Sequence, residues 1–526
     1  MTMKINILCF KTLDKDLNFF FGLKQTFVFV KDLKTQGIQL IKQAKENNIK
    51  IYNGLAKRKT EKQKWLKHTV YGKEAPICNS IELSNGVIFY NYDNFDVEEN
   101  VSIEEMYELA NELVEHFSYV EKGRIKLKST CAQIIAQNLP ILKDCLGAHN
   151  NGIKNMTVAI YGAKAAFGGA TALMPKFYGF VRNETHIDFH QMYSYILMNN
   201  EFPMINEEPI IEPGFKPHRL AIYNIVSGQA RLKKHGFALL SSKNAKNKGG
   251  ATDKTVQCNH EWFDITHYFN CLTSIDYETF LENYDVKDLV IGETLWYKNV
   301  FNGAMIFGNL ITKLYEKRKT TSGAVKRFYK LINENIPGSF ERTILDKQGY
   351  WSDLDGTKVG KRKIVRYNCI IGDFITAYGR RMLSALLHSF NFEDVIGYDT
   401  DAVFFNGLPT EVPEVVLKQF GNEPGQLHFD GIYHNVYHFA PKQYIGYDEN
   451  NEPFGKVSGV PNCNEWSKQI MTEPGAGLFV KTKAWLRKEQ VYIEDYKPVK
   501  VNLEDYLKKT GYYKQLKKVI ENEESR

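Results

Sequence analysis

The chain has 526 residues, 43% of them hydrophobic and 13% aromatic, with a formal net charge of +7. That length and apolar content mark a globular protein with a large buried core divided among several domains, and exclude a disordered chain. The mild positive charge points towards an anionic partner, and its placement is uneven: Lys313 to Lys330 carries seven Lys and Arg against a single acid, Glu316.

The eight cysteines, at 9, 78, 131, 145, 258, 271, 369 and 463, form no C-x-x-C pair, which predicts reduced thiols in a cytoplasm. Cys258, His260, His267 and Cys271 fit no common zinc spacing and read as scattered structural residues. Phe19 to Val30, the longest apolar run near the N-terminus, is broken by Lys24 and Gln25 and is too short to span a bilayer; no signal peptide is expected.

In chain order, residues 1–155 predict an α/β domain. Strands are expected at Ile5 to Phe10 and Thr26 to Val30, and a helix near Gly37 to Asn47. An amphipathic helix over 101–120 aligns Met106, Leu109, Leu113 and Phe117 on one face. From Gly162 the texture changes. Gly168-Gly169-Ala170 makes a flexible turn, and Asp188 then closes a strand ahead of the aromatic helix through Met198. Asp188 reads either as the N-cap of that helix or as a metal ligand that needs a partner acid elsewhere.

Residues 200–300 are strand-rich, with a basic, Gly-ended loop at Ser241 to Gly250. Two helical patterns follow, joined by Thr320 to Gly323 as an antiparallel hairpin. The first, about Phe307 to Lys319, buries Ile311, Leu314 and Tyr315; its Lys317 to Lys319 also suit a solvated face. The second, Ala324 to Asn335, stacks Lys326 and Lys330 with Arg327 beside them. Like charges so placed destabilise an isolated helix and favour a polyanion, such as a triphosphate, lying along the face. A hairpin with a basic second limb is expected at 346–365, and a helix at Thr376 to Phe390.

The sharpest local signal is Ile396-Gly397-Tyr398-Asp399-Thr400-Asp401-Ala402-Val403. Apolar residues on both sides predict two short buried strands with Asp-Thr-Asp at their turn. Side chains two apart in extended chain project to one side, so Asp399 and Asp401 converge while Thr400 faces away. Two acids converging without a basic neighbour repel each other unless a divalent cation joins them. Beyond this turn, Pro441 to Tyr444 begins a strand, and the remainder mixes Lys, Tyr and Trp in the manner of a nucleic-acid contact surface.

Together these pieces resemble a family B DNA polymerase of the protein-primed type found in small bacteriophages and linear plasmids. Asp188 with Tyr193 resembles the family's first motif, D-x-x-S-L-Y-P; Lys330 to Phe340 the second, K-x-x-x-N-S-x-Y-G; Gly397 to Ala402 the third, Y-x-D-T-D-S. Thr376-x-x-Gly379-Arg380 is similar to the template-contacting T-x-x-[GA]-R element and Lys442-x-Tyr444 to the primer-contacting K-x-Y. Phe167-Gly168-Gly169 resembles the DNA-contacting Y-x-G-G linker. The elements follow the family's order across residues 162–445.

The resemblance implies an α+β multidomain right hand behind an N-terminal exonuclease-like, ribonuclease H-like domain at 1–155. The palm would span 156–199 and 341–445, with a second hairpin insertion at about 346–365. A palm insertion at 200–300 would grip a terminal protein, the fingers would be 301–340, and the thumb 446–526. It implies catalysis and metal binding by Asp188, Asp401 and, as the lesser ligand, Asp399, with two Mg²⁺ ions that Mn²⁺ can replace. It further implies nucleotide binding by Lys330, Lys319 and Arg318, with Tyr193 as the steric gate against ribonucleotides. The partners implied are template and primer DNA, dNTPs and a priming protein. A monomer in the cytoplasm of a bacterial host is expected, away from membranes.

The departures are informative. Glu334, Asn335 and Pro337 stand where the second motif has Asn, Ser and the nucleotide-binding Tyr; Gln191 and Ser194 depart from the first motif, and Gly397 and Ala402 from the third. None removes a metal ligand. In the N-terminal domain, Cys9-Phe10-Lys11 replaces the exonuclease D-x-E, Asn53 to Lys57 lacks the Asp of the second motif, and Tyr107-x-x-x-Asn111 has Asn for the Asp of the third. Lys and Asn cannot bridge metals as carboxylates do, so proofreading is expected to be absent. The rival expectation is a polymerase-derived replication scaffold whose catalysis has decayed; a ribonucleotide-polymerising relative is disfavoured by Tyr193.

Overall fold

The computed structural model describes most of residues 6–457; the longest internal stretches outside it are 54–66, 143–152, 241–259 and 346–363, and residues 458–526 also lie outside the described residues. The basic loop at 241–250, nearly all of the 346–365 hairpin, Gly54 to Lys57 and the C-terminal region after Val457 therefore fall outside the described residues. The chain divides into two compact units, Met1–Pro140 with Asn309–Ser339, and Ile141–Gly308 with Phe340–Arg526.

The first unit is built on a five-stranded sheet ordered Asn6–Phe10, Thr26–Val30, Val87–Asn91, Ser80–Leu83, Ile51–Asn53. The first three strands are parallel and the last two antiparallel. Thr26–Val30 and Val87–Asn91 are buried at every position, which explains why both are continuous β-branched and aromatic runs without alternation. Phe20, Val28, Leu33, Leu40, Ile81 and Phe89 form the core beside them.

The helix Ile103–Phe117 starts at a capping box, in which Ser102 Oγ accepts from Glu105 N and the Glu105 carboxylate accepts from Ser102 N. The predicted face is the buried one: Met106, Leu109, Leu113 and Phe117. Against it lies the second of two further helices, Gly303–Thr320 and Gly323–Gly338, with Phe328 edge-on to Phe117 at 5.8 Å. Lys317 donates to Glu112 at 2.8 Å, the Tyr329 hydroxyl donates to the same carboxylate, and Arg327 pairs with Glu105 at 3.4 Å. Lys317, consistent by sequence with a solvated face, is thus neutralised by an acid from a distant segment. Pro337 is accommodated in the last turn of its helix, where Ser339 N takes up the carbonyls of Asn335 and Ile336.

The second unit holds a seven-stranded antiparallel sheet ordered Thr171–Leu173, Val395–Asp399, Ala402–Asn406, Gly179–Phe189, Leu427–Ala440, Gln443–Asp448, Pro453–Val457. Leu173, Val181, Ile396, Phe404, Val436 and Tyr444 fill its core. Inside it the buried Glu184 carboxylate bridges two imidazoles, His186 Nε2 at 2.5 Å and His438 Nε2 at 2.6 Å, so all three buried polar groups are partnered.

A smaller sheet, Ile210–Pro213, Tyr284–Trp296, Ala221–Leu232 and Phe263–Asp264, occupies the strand-rich stretch. The helix Ile370–Leu387, longer at its N-terminal end than the predicted one, contacts the helices Met192–Asn199 and Ser274–Asn283. The short pair Thr343–Leu345 and Ile364–Arg366 brackets the stretch 346–363. Among the described residues no helix is long and apolar enough to cross a membrane.

Candidate active site

Three strands of the large sheet bring the acids together. Asp188 pairs in register with Ala402, and Asp399 pairs with the same Ala402 across the two-residue turn Thr400-Asp401. Thr400 adopts a left-handed conformation, φ 65°, which closes the turn so that Asp401 N donates back to Asp399 O at 2.7 Å. The preceding Gly-rich segment fixes this turn from the other side: Thr400 N donates to Ala170 O at 2.6 Å. A Cβ at Gly169 would come within 2.7 Å of Thr400 Cγ2 and Oγ1, so only glycine fits there. Thr400 therefore does not simply face away; its hydroxyl donates to Asp399 Oδ1 at 3.2 Å.

The two acids of the turn differ in circumstance. Asp399 has a basic neighbour that local sequence did not reveal: Lys442 Nζ lies 2.5 Å from its Oδ1, and Thr171 Oγ1 donates to the same oxygen at 3.2 Å. Lys442 is itself in a left-handed conformation, φ 61°, at the turn before Gln443–Asp448. Asp401 and Asp188 are left facing each other. Burial, then the charges of Asp401 and Asp430, push the Asp188 carboxyl up to about 8. Burial, then Asp399, push Asp401 up to about 6, with Lys442 and Lys456 opposing. Asp188 Oδ1 is buried with no hydrogen-bond partner. Nor does Asp188 cap the following helix; that position is Gln191, in a left-handed conformation whose side chain makes no capping bond. A pair of mutually repelling acids with an orphaned buried oxygen suits a divalent cation.

Sequence reasoning missed two neighbours of this pair. His428 is the register partner of Asp188 on the adjacent strand, and Asp430 follows two residues on. Between His186 and Ile187 the register shifts, His186 facing Gly431 and Ile187 facing Phe429, so Asp430 is the extra residue of a β-bulge. Ligand atoms of Asp188, His428 and Asp430 all lie within 4.8 Å of one another. The alternation His428-x-Asp430 was legible by the logic applied to Asp399-x-Asp401; the bulge at the exposed Asp430, which brings its carboxylate near Asp188, was not.

The remaining candidates are placed unevenly. Tyr193 sits half-buried on Met192–Asn199, and Gly379 lets the long helix approach it, since a Cβ there would lie 3.4 Å from Tyr193 Cε1. Thr376 Oγ1 bonds back to the carbonyls of Gly372 and Asp373.

Two residues of the resembled DNA-contacting motifs are buried. Arg380 is 1% exposed and forks onto Asp276, Nε to Oδ1 at 2.7 Å and Nη2 to Oδ2 at 2.9 Å, while Nη1 donates to the carbonyls of Phe167 and Gly168. Its guanidinium holds the glycine linker. Tyr444 is likewise 1% exposed, its ring among Phe404, His186, His438 and Phe454. It packs in the core of the large sheet.

In the first unit, Lys330 is 53% exposed and pairs loosely with Glu334 at 3.7 Å, a surface contact worth little. Arg318 is half-buried, and Lys319 is exposed with its ammonium 4.8 Å from the Tyr315 ring. Tyr107 and Asn111 do face the first strand: the Tyr107 hydroxyl donates to Ile7 O at 2.7 Å. With Asn6, Ile7, Leu8, Phe19, Leu23 and Thr26 they line a cavity of about 390 Å³; among the described residues no carboxylate lines it. Nearby, burial pushes the Cys9 thiol up to about 12.

Neither a protein-family model nor a curated protein sequence matches the chain. Its fold, however, is that of solved DNA polymerases. Structures of Phi29 DNA polymerase are among those similar to it. With primer-template DNA and incoming nucleotide substrates that polymerase matches at 16% identity over 89% of this chain and 89% of its own, TM-score 0.60. With single-stranded DNA it matches at 16% identity over 89% and 90%, TM-score 0.57.

Proposed function

We propose that this chain is a template-directed DNA polymerase of the protein-primed family B type, replicating a small linear phage or plasmid genome without 3′–5′ proofreading. The observation that carries the reading is the facing pair Asp188 and Asp401, half-buried and raised in pKa, at the strand ends of a fold shared with Phi29 DNA polymerase. In this reading the large sheet up to residue 445 belongs to the palm, the helical hairpin is the fingers, the smaller sheet part of an insertion for a terminal protein, and the thumb begins at residue 446.

The residues present fit a divalent cation through the unpartnered Asp188 Oδ1 and the Asp401 carboxylate. Bound cations would supply activation of the attacking hydroxyl and neutralisation of charge on the departing pyrophosphate. The primer oxygen bonds to the α-phosphorus as the bond to pyrophosphate breaks. Asp188 and Asp401 give up their protons as they become ligands, which makes ligation favourable at neutral and higher pH. Asp399, its charge already answered by Lys442, holds the turn in place more than it binds. Lys330, with Lys319 and Arg318, offers compact and forked cations for the triphosphate. Tyr193 excludes a ribose 2′-hydroxyl; Tyr193→Val is expected to admit ribonucleotides at rates within about tenfold of deoxynucleotides, measured by single-nucleotide insertion, whereas unchanged discrimination would remove the gate assignment.

The test of the function is extension of a labelled primer on a template with Mg²⁺ and dNTPs, by the intact chain and by Asp401→Asn. Extension lost in the variant supports the proposal; DNA binding without extension by either supports the decayed scaffold, which Pro337 and Glu334 favour. Proofreading is tested separately. Lys11 and Asn111, standing where the resembled motifs have acids, lead us to expect no removal of a mismatched 3′ nucleotide with Mg²⁺ or Mn²⁺, and metal-dependent removal by the purified chain would overturn that.

A further inference from the structure

We infer that Asp188, His428 and Asp430 form a divalent-cation site that favours an ion accepting an imidazole nitrogen, such as Mn²⁺, over Mg²⁺. The inference rests on the reading of Asp188 as a metal ligand. It adds a nitrogen donor to a centre otherwise composed of carboxylates, and a donor of that kind changes which ion is preferred. Mg²⁺ is a hard cation that takes oxygen ligands and keeps several waters, whereas Mn²⁺, Co²⁺ and Zn²⁺ gain from an imidazole.

Four observations support it. Candidate ligand atoms of the three residues lie within 4.8 Å of one another, close enough for one ion to reach all three. Asp188 Oδ1 and His428 Nδ1 are both buried and both without a hydrogen-bond partner, on residues that face each other across the strand pair. A buried polar atom left unsatisfied is costly, and a cation bound between the two residues would satisfy both. The His428 ring is held in plane by a parallel stack on His190, centroids 3.8 Å apart and planes 6° apart. Asp430, the extra residue of the bulge, supplies a second carboxylate that would otherwise repel Asp188. Two carboxylates and one imidazole around a shared point form a donor set that a first-row transition ion such as Mn²⁺ accepts more readily than Mg²⁺ does.

The test uses the full chain stripped of metal and titrated with MnCl₂, free Mn²⁺ being read by its electron paramagnetic resonance signal. Mg²⁺ affinity is read by competition. The expected result is at least one tightly bound Mn²⁺ whose affinity falls by about tenfold or more in His428→Asn and in Asp430→Asn, while the Mg²⁺ affinity of His428→Asn falls by much less. Circular dichroism of each variant checks folding, and His428→Gln, which keeps bulk at the position, repeats the measurement should His428→Asn unfold.

Mn²⁺ affinity unchanged in a folded His428 variant would overturn the site, as would an equal loss for both metals. Primer extension separates this from the polymerase reading. Extension together with His428-independent Mn²⁺ binding leaves a polymerase without this site; His428-dependent Mn²⁺ binding without extension upholds the site and removes the polymerase.

Discussion

Asp401→Asn is expected to reduce template-directed extension by about a thousandfold or more while leaving DNA affinity within about threefold, and to make the metal-free chain more stable. The first part follows from ligation: a metal centre supplies several kcal/mol of transition-state stabilisation, and each 1.36 kcal/mol is about tenfold in rate. The second follows from charge. Burial and Asp399 push Asp401 up to about 6, and burial, Asp401 and Asp430 push Asp188 up to about 8, both above the ordinary carboxylate value of 3.8.

Without metal, the folded chain therefore binds more protons than the unfolded chain between about pH 4 and 8, so its stability is full below pH 4 and is lost as pH rises through 6 and then 8. The midpoint of thermal unfolding should fall across that window, recover with Mg²⁺ more at pH 8 than at pH 5, and vary less with pH in Asp401→Asn. A variant that gains stability while losing synthesis is the expected behaviour of a residue placed for chemistry. A midpoint that rises with pH, or extension that survives the substitution, would remove the metal assignment.

How far the sequence carried this picture depended on the reach of each interaction. Elements set by near neighbours were legible: the continuous apolar strand Thr26–Val30, the helix Ile103–Phe117 with its capping box, and the Asp-Thr-Asp turn between buried strands. Each is decided by residues within a turn or two of itself.

What failed to show were interactions between segments far apart in the chain. Lys442 answering Asp399 depends on the turn between Leu427–Ala440 and Gln443–Asp448 coming close to the Asp-Thr-Asp turn, far earlier in the chain. Asp430 reaches the site through a register shift with no compositional mark. Tyr444 and Arg380 carried the chemistry of motif positions, but whether an aromatic or a guanidinium faces solvent or core is settled by what packs on it. Here those neighbours are Phe404 and Phe454 for one and Asp276 for the other.

Arg380→Ala tests that last point with a large expected effect. The guanidinium is 1% exposed and Asp276 is 0% exposed, so removing the cation leaves a carboxylate in the interior with only Thr273 and its own helix start for company. Breaking a buried pair on one side costs about 3–5 kcal/mol, far more than the pair itself contributes. The loss should appear as a lower unfolding midpoint and less folded protein.

Arg380→Met combined with Asp276→Leu, which removes both charges and keeps volume, should recover most of it. The damage also has a route to the acids. Arg380 Nη1 holds the Gly168 carbonyl at 2.8 Å, and two residues on Ala170 O accepts from Thr400 N at 2.6 Å, so loosening the linker loosens the turn that carries Asp399 and Asp401. Synthesis should thus fall even at temperatures where Arg380→Ala remains folded, and the charge-free double variant should regain stability without regaining full synthesis, because no donor replaces Nη1. A template-contact role makes the opposite demand: unchanged stability with weakened DNA binding. Observing that pattern would return Arg380 to the DNA interface and leave the Asp276 pair without the structural weight its burial assigns it.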